Sequence, residues 1–142
     1  MNLLQASLLG GAAFRAVDDL LADLTFPQAS QALPGVSYTL GDLLAHLQVT
    51  MRVSLDLITG KVQAWPDDLN VWPAAPASEP ELKALLTDLH LLLSEANMLA
   101  ADPGGVTRDI LLDLAVHNAY HWGQVALIRQ QQGVVFPSAR ET

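Results

Sequence analysis

Apolar residues recur along this chain at spacings of three and four in four separate stretches, the period of an α-helix. No stretch alternates strictly enough to read as a strand. The first helical stretch covers residues 3–24. Leu9, Ala13, Val17, Leu20, Leu21 and Leu24 share a face, with Arg15, Asp18, Asp19 and Asp23 elsewhere on the wheel. Gly10 and Gly11 interrupt it, each costing about 1 kcal/mol relative to Ala in a helix interior, and imply a close helix contact or a bend. Pro27, Pro34 and Gly35 then mark a loop. Thr39 is placed to cap the second helix, with Asp42 three residues on. Its face carries Leu40, Leu43, Leu44, Leu47, Met51, Leu55 and Ile58, and Gly60 is its expected end.

Residues 61–77, with Pro66, Pro73, Pro76, Trp65 and Trp72, read as a connection long for a bundle. Such a segment can carry the chain along the bundle, so the helices it joins need not be antiparallel neighbours. Ser78 and Glu81 form a capping-box pattern for the third helix, which continues through Leu82, Leu85, Leu86, Leu89, Leu92, Leu93 and Ala96. Asp102-Pro103-Gly104-Gly105 stops it, Thr107 is the expected cap of the fourth, and Gly133 ends that helix after Gln132. The fold expected is all-α, a four-helix bundle forming a single domain over residues 1–142.

Composition narrows the function more than the fold. Hydrophobic residues make up 51% and charged residues 15%, which excludes a disordered chain. The formal charge of −8 repels a phosphate backbone and argues against a nucleic-acid partner. The absence of cysteine excludes disulfides, thiolate metal sites and a cysteine nucleophile, leaving His, Asp and Glu as metal ligands. No basic segment precedes the apolar start of the chain, and no apolar stretch is long enough to span a bilayer. A cytoplasmic protein without a membrane partner is the expectation.

The fourth helix holds the informative feature, His117-Asn118-Ala119-Tyr120-His121. At about 100° per residue the two histidines point the same way one turn apart. Ile110, Leu114, Val125 and Ile128 share their arc, so the imidazoles interrupt a stripe that otherwise faces a core. One histidine in such a stripe is most often a core residue with a satisfied hydrogen bond. Two at i, i+4 are costly to desolvate unless their lone pairs find a use, and this spacing lets two imidazoles grip one ion. No His-Glu-x-x-His motif is present, which removes the metalloprotease version, and no Glu-x-x-His motif supports a di-iron bundle. A third ligand comes from His46 or His90. His46 lies at the edge of an apolar arc near Val53 and Leu57, whereas His90 sits at the rim of its helix between Lys83 and Asn97.

Tyr38-Thr39-Leu40-Gly41-Asp42-Leu43-Leu44-Ala45-His46-Leu47, followed further on by His117-x-x-x-His121-x-Gly123-Gln124, resembles the DinB/YfiT-like superfamily. The approach Thr107-Arg-Asp-Ile-Leu-Leu-Asp-Leu-Ala115 is similar to that family's last helix, and the resemblance spans nearly the whole chain. It implies an up-down-down-up helix order and a divalent transition metal, zinc or nickel, on His46, His117 and His121. It also implies a homodimer. Among its relatives are enzymes that use a low-molecular-weight thiol, of the bacillithiol or mycothiol kind, on an electrophile.

Two functional readings follow. In one the protein is a metal-dependent thiol transferase. Gln124, one turn beyond His121, then orders substrate or a metal ligand, and Asp113 orients an imidazole or is simply a surface acid. Trp65 and Trp72 wall the pocket or anchor the loop; Tyr120 and Trp122 pack. In the other the protein is a non-catalytic, stress-associated bundle that binds metal or ligand. The basic residues fit the first reading poorly. Arg52 and Arg129 fall on polar or outer faces of their helices, so no cation awaits a thiol's carboxylates.

Overall fold

The computed structural model describes residues 1–136, and these contain six helices and no strand. Three are long: α4 (Leu40–Thr59), α5 (Glu79–Leu99) and α6 (Gly105–Gln131). Three short ones precede them: α1 (Leu3–Leu9), α2 (Val17–Leu21) and α3 (Phe26–Ser30).

The N-terminal stretch expected as one helix is broken. Gly10 and Gly11 both take positive φ, 76° and 93°. A Cβ at Gly10 would lie 2.5 Å from the Arg15 carbonyl oxygen, so the chain folds back on itself here and only glycine fits. The region expected as loop around Pro27 holds α3. Thr25 accepts from the Gln28 amide while the Gln28 side chain accepts from the Thr25 amide. Pro27 sits in the first turn, where its missing N–H costs nothing.

The long helices match their pattern closely. Thr39 and Asp42 close a capping box on α4, and Gly60 ends it in the left-handed region at φ 81°. On α5 the Ser78 hydroxyl accepts from the Glu81 amide, but the Glu81 carboxylate turns back to the Ala77 amide, one residue before the cap. The last helix starts earlier than Thr107: Gly104 is its N-cap, without a side-chain bond, and Thr107 lies inside the first turn. Glycine is an accepted residue at that boundary. At the other end Gly133 turns at φ 88° and Val134 N–H reaches the Arg129 carbonyl at 3.0 Å.

α4 and α1 each pack against both α5 and α6, closing a ring around the core. Leu43, Leu47, Met51 and Leu55 meet Leu85, Leu89, Leu92 and Ala96 from α5 and Leu114, Trp122, Val125 and Ile128 from α6. Leu8, Val17 and Leu20 complete the core from the N-terminal arm. Polar bridges set the directions. Gln48 bonds Asp88 at 2.7 Å and Arg52 meets Glu95 at 3.5 Å, so α4 and α5 run the same way. Gln5 bonds the Asn97 carbonyl and Asp18 pairs with His90, so the arm runs opposite to α5.

Arg129 contradicts its placement on an outer face, being only 2% exposed. Its guanidinium donates to Gln28 Oε1 and to the Ala22 carbonyl, because α3 and the turn after α2 lie over that side of α6. Arg52 stays half-exposed, bridged to Asp56 and Glu95. No described helix is long and apolar enough to cross a membrane.

Candidate metal centre

α4 and α6 run antiparallel at the site: His46 meets His117 and His121, and one helical turn or two further on, Ser54 and Asp113 line a common cavity. The leucine faces of α4 and α6 bring these helices together, and the histidines occupy the same buried seam. His46 and His121 are 5% and 7% exposed, and His117 is half-buried. One ring nitrogen from each lies within 4.8 Å of the others, and His46 Nε2 and His117 Nε2 stand 3.1 Å apart.

The hydrogen bonds of the opposite ring nitrogens define what these atoms can do. His46 Nδ1 faces the Val71 carbonyl at 2.5 Å. A carbonyl can only accept, so Nδ1 carries the hydrogen and Nε2 is left as a bare lone pair. His121 Nδ1 donates to Gln124 Oε1 at 2.7 Å, with the same consequence. His117 Nδ1 faces Asn118 Oδ1 at 3.3 Å. Each imidazole is therefore supported from behind, the arrangement that orients metal-binding histidines. Two nitrogens held about 2.1 Å from one ion at a tetrahedral angle stand roughly 3.4 Å apart, close to the His46–His117 spacing. The donor set and its spacing fit a divalent transition metal.

Burial pushes the pKa of His46 and His121 below the ordinary imidazole value. For His46 the Val71 bond opposes this and the His117 charge adds to it. For His121 the Gln124 bond opposes, while His117 and His46 both add to the lowering. Neutral imidazoles are the form that binds metal.

Trp72 lies flat on His46, ring centroids 3.9 Å apart and planes within 6°, and Tyr38 stacks behind Trp72 at 6.0 Å. The adjoining cavity, about 300 Å³, is lined by Thr50, Ser54, Trp65, Val71, Asp113 and Leu114 beside His46 and His117. Both loop tryptophans thus wall the site, half-exposed rather than buried as anchors. Asp113 is exposed at the cavity wall and its carboxylate makes no described bond to an imidazole. Trp122 is fully buried packing, but Tyr120, expected to pack, is 68% exposed, its ring edge-on to His121 at 5.2 Å. His90 stands apart from the triad, bonded to the Leu86 carbonyl and Asp18.

Sequence reasoning missed two contributors, Trp72 having already been a candidate wall of the pocket. The Val71 carbonyl comes from a loop with no periodic signal. Asn118, wholly buried beside His117, carried one: an amide at an inward position of an apolar helix. Comparison with known proteins finds no matching family model, no similar curated protein and no similar solved structure.

Proposed function

We propose that His46, His117 and His121 hold one divalent transition metal, zinc or nickel foremost, and that the protein is a metal-dependent enzyme acting on a small molecule in the adjoining cavity. The observation that carries this reading is the convergence of three imidazoles whose outer nitrogens are tied to Val71, Gln124 and Asn118. An ion bound there leaves coordination positions for a water or thiol, whose acidity it raises. The chain's own part is to hold the three rings neutral and oriented, and to cover one side with Trp72. Gln124 is in this reading a positioning residue, since its oxygen is engaged by His121.

The ring of α1, α5, α4 and α6 supports a four-helix bundle of the DinB/YfiT-like kind, with the broken arm as its first member. Parallel α4 and α5, with α1 opposed to α5 and α6 opposed to α4, suit an up-down-down-up order. A single domain, a cytoplasmic place and a homodimer belong to the same reading, as does the transfer of a low-molecular-weight thiol to an electrophile. A second reading, a non-catalytic metal-binding bundle, is favoured by one observation: Gln124 is engaged by His121 and, among the described residues, Asp113 lines the cavity without bonding the triad, so no general acid or base is seated on it.

Metal analysis tests the proposal. Protein purified without added metal should carry one transition-metal ion per chain, and His121→Ala should lose it while keeping its helical circular dichroism. A native protein free of metal that takes up neither zinc nor nickel would sink the site. Metal-dependent turnover of a chromogenic electrophile with a panel of thiols then separates enzyme from scaffold.

A further inference from the structure

The cavity beside the triad has a one-sided chemistry. Thr50 Oγ1 donates its hydrogen to the His46 carbonyl at 2.9 Å, and Ser54 Oγ donates to the Thr50 carbonyl at 2.9 Å. With their hydrogens spent inside α4, both hydroxyls offer only acceptor lone pairs to the cavity they line. Asp113 adds a carboxylate, and among the described residues no Lys or Arg lines this wall. Trp65 contributes an indole, a mainly apolar ring whose single polar atom is an N–H donor. Val71 and Leu114 are apolar. Away from the imidazoles and the Trp65 indole N–H, the polar side chains here, Thr50, Ser54 and Asp113, present acceptor atoms, one of them a carboxylate. The chain's net charge of −8 sets a field of the same sign.

We propose that this cavity takes a small ligand bearing a protonated amine on a short apolar body, and disfavours carboxylate-bearing thiols of the bacillithiol type. The inference rests on the metal-centre reading for the ligand's reactive end and on the cavity wall alone for its charge. An ammonium group has three hydrogens to donate, matching the Asp113 carboxylate and the Thr50 and Ser54 lone pairs. A carboxylate in the same place meets Asp113 with no Lys or Arg on the wall to offset it. A volume of about 300 Å³ holds a small molecule, at the lower end of known ligand pockets.

The wall can be tested without metal. At pH 8 and low salt, n-butylammonium should shift the Trp65 indole N–H resonance of the metal-free protein at concentrations where butyrate does not, and Asp113→Asn should abolish the shift. The exposed acid Asp109, which does not line the cavity, supplies the control, and Asp109→Asn should leave the response intact. Equal responses to both probes, a preference for butyrate, or a preference that survives Asp113→Asn overturns the proposal. The second arm uses cobalt(II)-loaded protein, whose visible bands report thiol coordination. Referred to thiolate concentration, cysteamine should bind about tenfold more tightly than 3-mercaptopropionate, and Asp113→Asn should shrink that ratio to about twofold. A ratio near one in the native protein counts against the proposal. Failure of cobalt to bind at all counts against the metal centre instead, and the metal-free arm still decides the wall.

Discussion

At the scale of single residues, the site depends on groups that bind nothing themselves. Trp72 covers His46 face to face and its neighbour Val71 takes the His46 Nδ1 hydrogen, so two consecutive loop residues fix both the tilt and the tautomer of one ring. Trp72→Ala removes the stacked face and frees that loop. It is expected to weaken metal binding by about tenfold, the usual cost of losing an outer support of a metal-binding histidine. Competition against a chelator of known affinity measures this, and Trp72→Phe should recover most of the loss. An unchanged affinity in Trp72→Ala would show that the stack is incidental. The paired histidines of α6 were legible because helical geometry alone sets them on one face. The loop's part was not, since nothing in the spacing of residues 61–77 states where that segment lies over the helices.

Among the elements, the N-terminal arm is where local pattern and final structure separate. Its apolar residues do repeat at helical spacing, and Leu8, Val17 and Leu20 do reach the core. They reach it from two short helices because residues 10 and 11 sit at positive φ and turn the chain. The two glycines make different demands. A Cβ at Gly10 meets the Arg15 carbonyl oxygen at 2.5 Å, while one at Gly11 meets nothing within 4 Å. Gly10→Ala should therefore destabilise by about 2–3 kcal/mol, combining left-handed strain with a backbone clash, and Gly11→Ala by about 1 kcal/mol from strain alone. Urea midpoints of the two variants compare them directly, and equal losses would remove the clash from the account. The same arm explains Arg129. A helical wheel places it on the polar side of α6, but α3 and the turn after α2 cover that side, and the guanidinium becomes a clamp on both.

For the whole molecule, two properties follow from how the helices are assembled. The first is a pH dependence. His46 and His121 have folded pKa values below their unfolded one of about 6.5. As pH falls through that value the unfolded chain takes up protons that the folded protein refuses, so stability rises with pH across this window. The metal-free protein should lose stability steadily from pH 7 towards 5, ahead of most carboxylate titration. Denaturant midpoints over that range measure it, and His46→Gln with His121→Gln should flatten the slope. The second is an exposed apolar face on α6. Leu112, Val116, Tyr120 and Leu127 stand 44%, 72%, 68% and 57% exposed along α6, on the side away from the core. We propose a second copy of the chain as its cover. Sedimentation should show a dimer that Val116→Glu with Tyr120→Glu converts to monomer; a monomeric native protein rules it out.

Helix period, caps and the i, i+4 histidine pair are short-range properties, settled within a few residues of backbone geometry. They were therefore readable from the chain: an all-helical protein, the bounds of α4, the start of α5, and two imidazoles on one buried face. The position of His46 at an apolar edge was readable too, but its meeting with His117 at 3.1 Å depends on how α4 packs on α6. Packing likewise decided which polar residues were covered, burying Arg129 and leaving Tyr120 outside. Burial belongs to a residue's neighbours in space, and those come from distant parts of the chain. For the same reason the acceptor-lined cavity, built from α4, a loop and α6, exists only once the three are brought together.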